Sequence, residues 1–196
     1  MTGLRRILSL VQQGVISQNE FAKFLMLGSR GLIELAAHLT DEERRDFEVH
    51  IHGILGLALA IQVKSVMQLT RLSRNTLGIH SFVSVRASRL VSDPLFWYFY
   101  AYLDPQIMGL ADPTFLIPSE VFHREANPRK AGGFWHFTFE PSMESSSHDK
   151  WYPYRVNTLD LGQKVLAILR DQARLGTVPE ASRVHEVPGL VWLRTA

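Results

Sequence analysis

The sequence predicts a mixed α/β domain with a central mixed β-sheet flanked by helices. Three observations carry that expectation. Apolar residues recur at helical spacing over 4–13, 17–27 and 159–175; the period changes to two at Phe47, Val49 and Ile51; and the aromatic run over 95–103 reads as a buried strand.

Leu4, Ile7, Leu8, Leu10 and Val11 form a helical stripe that Gly14 ends. Ser17 with Glu20 then reads as a capping box for a second helix through Phe21, Phe24, Leu25 and Leu27. Gly28 to Gly31 interrupts it, and 32–39 resumes a helical pattern around Glu34. Residues 40–45 form a charged link. From Asp46, apolar Phe47, Val49 and Ile51 alternate with Glu48, His50 and His52, as in a strand with one buried face. His52-Gly53 is read as a turn before a β-rich run over 57–66. The competing reading, one long helix over 40–72, is opposed by Gly53, Gly56 and the β-branched Ile61 and Val63.

Farther along, 80–85 is read as a third strand, Asp112-Pro113 as a turn, and 114–117 as a short strand stopped by Pro118. Ser119 is read as the cap of a helix through Phe122 and His123. A loop over 127–133, a strand over 134–139 and a polar, mobile loop over 141–148 precede the last helix, whose apolar face is Leu161, Val165, Leu166, Ile168 and Leu169. No repeat or long linker divides the chain. One domain is expected over 1–196, with a helical extension over 1–29, a core over 30–125 and strand and helix additions over 126–196.

The composition excludes several function classes. The chain has 196 residues, 46% of them hydrophobic and 20% charged, which is enough apolar material for a core and too much for wholesale disorder. The uncharged apolar stretch 54–61 falls far short of the ~20 residues of a membrane span. Arg5 and Arg6 are followed by a stretch that Gln12, Gln13 and Gln18 interrupt, so no secretion signal is read and a cytoplasmic protein is expected. With no cysteine there are no disulfides, thiolate metal sites or cysteine nucleophiles. A metal would be held by oxygen or imidazole.

The net charge of +2 conceals an asymmetry. Residues 49–92 carry Lys64, Arg71, Arg74, Arg86 and Arg89 and no acid, whereas 93–149 carry eight acids against three bases. A polyanion is a partner that would explain the basic block, and Arg71, Arg74, Arg86 and Arg89 are its candidate phosphate contacts.

Lys64 stands inside an apolar strand, where burying an ammonium costs several kcal/mol unless a partner compensates. Asp46-Phe47-Glu48-Val49, then Ala60-Ile61-Gln62-Val63-Lys64-Ser65, with Glu34 upstream, resembles the PD-(D/E)xK restriction-endonuclease-like superfamily in a Gln-x-Lys form. Asp112 to Ser119 also resembles the segment that follows the core in bacterial members without an assigned role. The resemblance covers roughly residues 30–125. It implies a restriction-endonuclease-like fold, a Mg²⁺ or Mn²⁺ cofactor, and a nuclease acting on nucleic acid, DNA before RNA. Matched residue by residue, Asp46 would bind the cation, Gln62 would stand where a second acidic ligand usually sits, and Lys64 would position or activate the attacking water. Glu34 matches a helix carboxylate that some members add to the metal site, and Glu48, in register with Asp46, is an alternative ligand.

Gln62 departs from the pattern. Its amide oxygen can coordinate a hard cation but brings no charge. That favours a rival function, a catalytically inactive nuclease fold serving as a nucleic-acid-binding or homo-oligomeric assembly module, and a homodimer fits either reading. Plainer readings stand beside each residue: Asp46 following a charged turn, Lys64 reaching solvent from a strand end, Glu34 solvated on its helix. His50-x-His52 is a softer metal alternative on the face of Asp46 and Glu48, and His123, His136 and His148 are read as structural or surface residues.

Overall fold

The computed structural model describes residues 8–37, 45–54, 56–74 and 76–174. Its centre is a six-stranded mixed sheet in the order β1 (Ile33–Ala37), β2 (Phe47–Ile51), β3 (Leu59–Val66), β7 (Phe96–Asp104), β8 (Gly109–Pro118), β11 (Arg155–Val156). β1, β2 and β3 form an antiparallel meander, and β3 is parallel to β7. The connection between those parallel strands holds a hairpin, β4 (Thr70–Ser73) with β5 (Thr76–Gly78), and then β6 (Ser81–Arg86). β6 joins β10 (Phe134–Phe139) and β9 (Arg129–Ala131) in a small antiparallel sheet.

Each face of the central sheet is covered by its own apolar layer. On one side α1 (Leu10–Gly28) and α3 (Leu161–Arg174) bury Phe21, Leu25, Val165 and Leu169 against Phe47, Val49, Leu59, Ile61 and Val63. On the other side the small sheet and α2 (Ser119–Glu125) pack Val83, Val85, Phe122, Phe137 and Phe139 against Tyr98, Tyr100, Phe115 and Ile117. Strand periodicity therefore sends Leu59, Ile61 and Val63 into the first layer and turns Gln62 and Lys64 to the opposite face.

Several local expectations are corrected. The N-terminal region is one helix from Leu10, not two. Its capping box is Ser9 with Gln12 instead of Ser17 with Glu20, and Gly14 lies within it. A Cβ at Gly14 would meet nothing within 4 Å, so that glycine weakens the helix without any packing reason to break it. Residues 3–7 and 38–39 of the expected helices lie outside the described residues, as do 40–44 of the expected charged link. Residues 33–37 are a strand, β1, because pairing with β2 outweighs the helix propensity of Glu34, Leu35, Ala36 and Ala37. Asp112-Pro113 lies inside β8 and is no turn, while Asp112 accepts a hydrogen bond from the Thr158 N–H at 2.7 Å.

Ser119 does not cap α2. Its hydroxyl is turned to the backbone of Asp93, donating to that carbonyl and accepting from that N–H, both at 2.9 Å. The expected loop over 127–133 contains β9. The polar loop over 141–148 is tied down at Ser142, whose N–H donates to Asp149 and whose carbonyl accepts from Arg155. Among the described residues, no helix is long and apolar enough to cross a membrane.

Candidate functional site

Asp46 stands one residue before β2, where the β2–β3 ladder ends at the Phe47–Ile61 pair. Its N–H donates to the Ile61 carbonyl at 3.1 Å. Beyond that pair β2 supplies no further ladder partner, and the Asp46 side chain takes over the position. Its Oδ2 accepts the Val63 N–H at 2.6 Å, and its Oδ1 accepts from Gln18 Nε2 of α1 at 2.8 Å. The half-buried carboxylate is thus gripped from a helix and from a strand at once.

Val63 is the middle residue of Gln62-Val63-Lys64, so that hydrogen bond brings Asp46 against the peptide between the other two candidate residues. Gln62 is only 4% exposed and lies opposite Tyr98 of β7; Lys64 is half-buried and lies opposite Tyr100. Beneath them the Tyr98 hydroxyl meets His123 Nε2 at 3.0 Å. Burial pushes the His123 imidazole down to about 4, so near neutral pH it is uncharged. Burial likewise raises the Tyr100 hydroxyl well above its ordinary value, and it stays protonated.

The end of β3 is keyed to α1 by a second polar group. Ser17 is 1% exposed and shares a 2.6 Å hydrogen bond with Ser65. Gln13 Nε2 donates to the Ser65 carbonyl at 2.7 Å and to its hydroxyl at 3.0 Å. Gln13, Ser17 and Gln18 together fix the distance between helix and strand at the site. Sequence reasoning missed all three; their only signal is three polar side chains on a helix whose other inward positions are apolar.

Glu34 is not brought to Asp46. It lies on β1 and not on a helix, opposite His50, and its carboxylate meets His52 Nδ1 at 2.5 Å. Ala37 is opposite Phe47, so Glu34 stands three residues farther back along β1, roughly 10 Å by strand rise. Glu48 lies on β2, with its carboxylate 3.3 Å from Arg45 Nη1. Among the described residues no three His, Asp or Glu groups gather around a common point, which includes His50 and His52.

The donor set at the site is nonetheless of the right chemistry for a hard divalent cation. Asp46 offers two carboxylate oxygens, each accepting one of the hydrogen bonds above. Gln62 carries an amide oxygen, on the face of β3 turned away from α1. The set has one anion where two carboxylates would bring two.

Arg71 on β4, Arg74 before β5, Arg86 at the end of β6 and Arg89 in the following 3₁₀ turn are all exposed. Folding changes the charge picture drawn from the chain. Arg129 and Lys130 belong to the acidic stretch of sequence, yet β9 places them in the small sheet that also contains Arg86. Pairing between distant strands is what moves them, and linear charge blocks cannot register it.

No protein-family model matches the chain, and no curated protein matches it. Among solved structures, the chain is similar to a bacterial homing endonuclease, with 16% sequence identity and a TM-score of 0.49; the match covers 86% of this chain and 98% of that one.

Proposed function

We propose that this chain is a metal-dependent nuclease that hydrolyses phosphodiester bonds in DNA from a PD-(D/E)xK-type site in its Gln-x-Lys form. The observation that carries this reading is the hydrogen bond from the Val63 N–H to Asp46 Oδ2, which sets an anchored carboxylate beside the Gln62–Val63 peptide.

In this reading Asp46 and Gln62 hold Mg²⁺ or Mn²⁺, with Glu48 as an alternative ligand. Such an ion, when bound, neutralises a phosphodiester, lowers the pKa of a coordinated water and stabilises the departing oxygen. Gln18 and the Val63 N–H hold the Asp46 carboxylate in one orientation, so little reorganisation is needed on binding. Lys64 directs an ammonium on a flexible stem to the attacking water and to the phosphate oxygens where charge develops. Arg71, Arg74, Arg86 and Arg89, joined by Arg129 and Lys130, neutralise backbone phosphates, and affinity should fall steeply with salt.

The test is incubation of labelled single-stranded, duplex and branched DNA, and of RNA, with Mg²⁺, Mn²⁺ or EDTA. DNA is expected to be cut only with an ion, and Lys64→Ala is expected to lose at least about 100-fold in rate at unchanged melting temperature. Failure of the wild type on every substrate would overturn the reading. The missing second anion at Gln62 favours one alternative, a nuclease fold that binds DNA without cutting it. Calorimetry that finds DNA affinity but no cation affinity selects that alternative.

A further inference from the structure

We infer that the outward face of the small sheet is a stacking platform for a single-stranded segment of DNA. Alternation fixes which side chains form this face. Val83, Val85, Phe137 and Phe139 are buried toward the central sheet, which leaves Phe82, Ser84 and Arg86 of β6 and Phe134, His136 and Thr138 of β10 on the other side. Arg129 of β9 pairs with His136 and joins them.

The rings on this face form a row. Phe82 and His136 lie 5.5 Å apart between centroids at an interplanar angle of 17°, and Phe134 and His136 lie 6.4 Å apart at 24°. The Arg86 guanidinium sits 5.9 Å from the Phe134 centroid, at one end of the row. Phe82, at the other end, is 62% exposed. An apolar ring of that size, displayed near the start of β6, does not belong to the core.

Charge identifies the occupant. β6, β9 and β10 contain no acid, and they carry Arg86, Arg129 and Lys130. A row of π-faces bordered by guanidinium groups suits a strand whose bases are exposed and whose backbone is anionic. In a duplex the base faces are already stacked, and Phe82 would find only base edges or sugar. The inference deepens the nuclease reading and rests on it for the choice of nucleic acid.

The experiment is fluorescence anisotropy in EDTA with labelled oligo-dT of about 15 nucleotides, a duplex of that length, an abasic strand and oligo-U. Oligo-dT is expected to bind at least about tenfold more tightly than the duplex or the abasic strand. Phe82→Ala combined with Phe134→Ala is expected to weaken it at least about fivefold, whereas Phe82→Tyr, which keeps the ring, leaves it unchanged. Equal affinity for abasic and oligo-dT strands, tighter binding of oligo-U, or an unaffected double variant would overturn the platform. No cation is present, so the outcome is independent of hydrolysis. Base-dependent binding without cleavage of any substrate sinks the nuclease reading and keeps the platform, and ion-dependent cleavage without base-dependent binding does the reverse.

Discussion

The Asp46 carboxylate accepts the backbone N–H of Val63 at 2.6 Å across 17 residues of chain, doing for β3 what a carbonyl of β2 would do if the ladder continued. This residue is structural as well as a candidate ligand, and the two roles can be separated by mutation. Asp46→Ala leaves the Val63 N–H and the Gln18 amide without their acceptor and should cost about 1–3 kcal/mol in denaturant unfolding. Asp46→Asn keeps one oxygen for Val63, and rotation of the Gln18 amide satisfies the new NH₂ group. Its stability should lie within about 0.5 kcal/mol of wild type. Equal losses for the two variants would show that the anchoring hydrogen bonds are immaterial to the fold.

Gln62 is the position at which a second anion would complete the site. In EDTA, Gln62→Glu should lower the melting temperature, because a nearly buried carboxylate is poorly solvated. Added Mg²⁺ should then raise the variant's melting temperature by more than it raises that of wild type. A cation response no larger than that of wild type would place the ion elsewhere.

Glycines separate two kinds of backbone freedom. A Cβ on Gly162 would fall 2.4 Å from Ser29 N and 2.5 Å from Gly28 C, where α3 starts against the end of α1. Gly162→Ala should therefore destabilise by about 1–3 kcal/mol through overpacking. Gly14→Ala meets only open space and should stabilise by about 0.5–1 kcal/mol through helix propensity. Thermal unfolding of both variants checks the pair, and stabilisation by Gly162→Ala would contradict this packing.

His123 makes stability depend on pH. Its folded pKa, pushed down to about 4 by burial, lies below the unfolded value near 6.5, so on acidification the unfolded chain takes up the proton first. The stability contributed by the neutral imidazole is full above about pH 6.5 and is lost progressively as pH falls toward 4. Stability curves should be steeper for wild type than for His123→Gln across that window. Superimposable slopes would mean that the imidazole titrates alike in both states.

Much of the fold was legible because periodicity reports burial. Phe47, Val49 and Ile51 announced β2, the run ending at Val66 announced β3, and Leu161, Val165, Leu166 and Leu169 announced α3. What escaped depends on partners distant in sequence. β1 reads as helix until β2 pairs with it, and Asp112-Pro113 reads as a turn although β8 runs through it, at an irregularity in its ladder with β7. At the site, spacing singled out Asp46, Gln62 and Lys64. Gln18 could not be found that way, since it lies 28 residues from Asp46 on an element with a different period. Glu34 was misplaced with the helix it was assigned to.

The most direct measurement of the central claim compares DNA cleavage by wild type and Asp46→Asn at equal melting temperature, with Mg²⁺ or Mn²⁺ and with EDTA. Removing the one anchored anion while keeping its hydrogen bonds should abolish ion-dependent cleavage, a loss of at least about 100-fold. Cleavage that persists in Asp46→Asn at the wild-type rate, or wild-type cleavage undiminished in EDTA, would contradict the account.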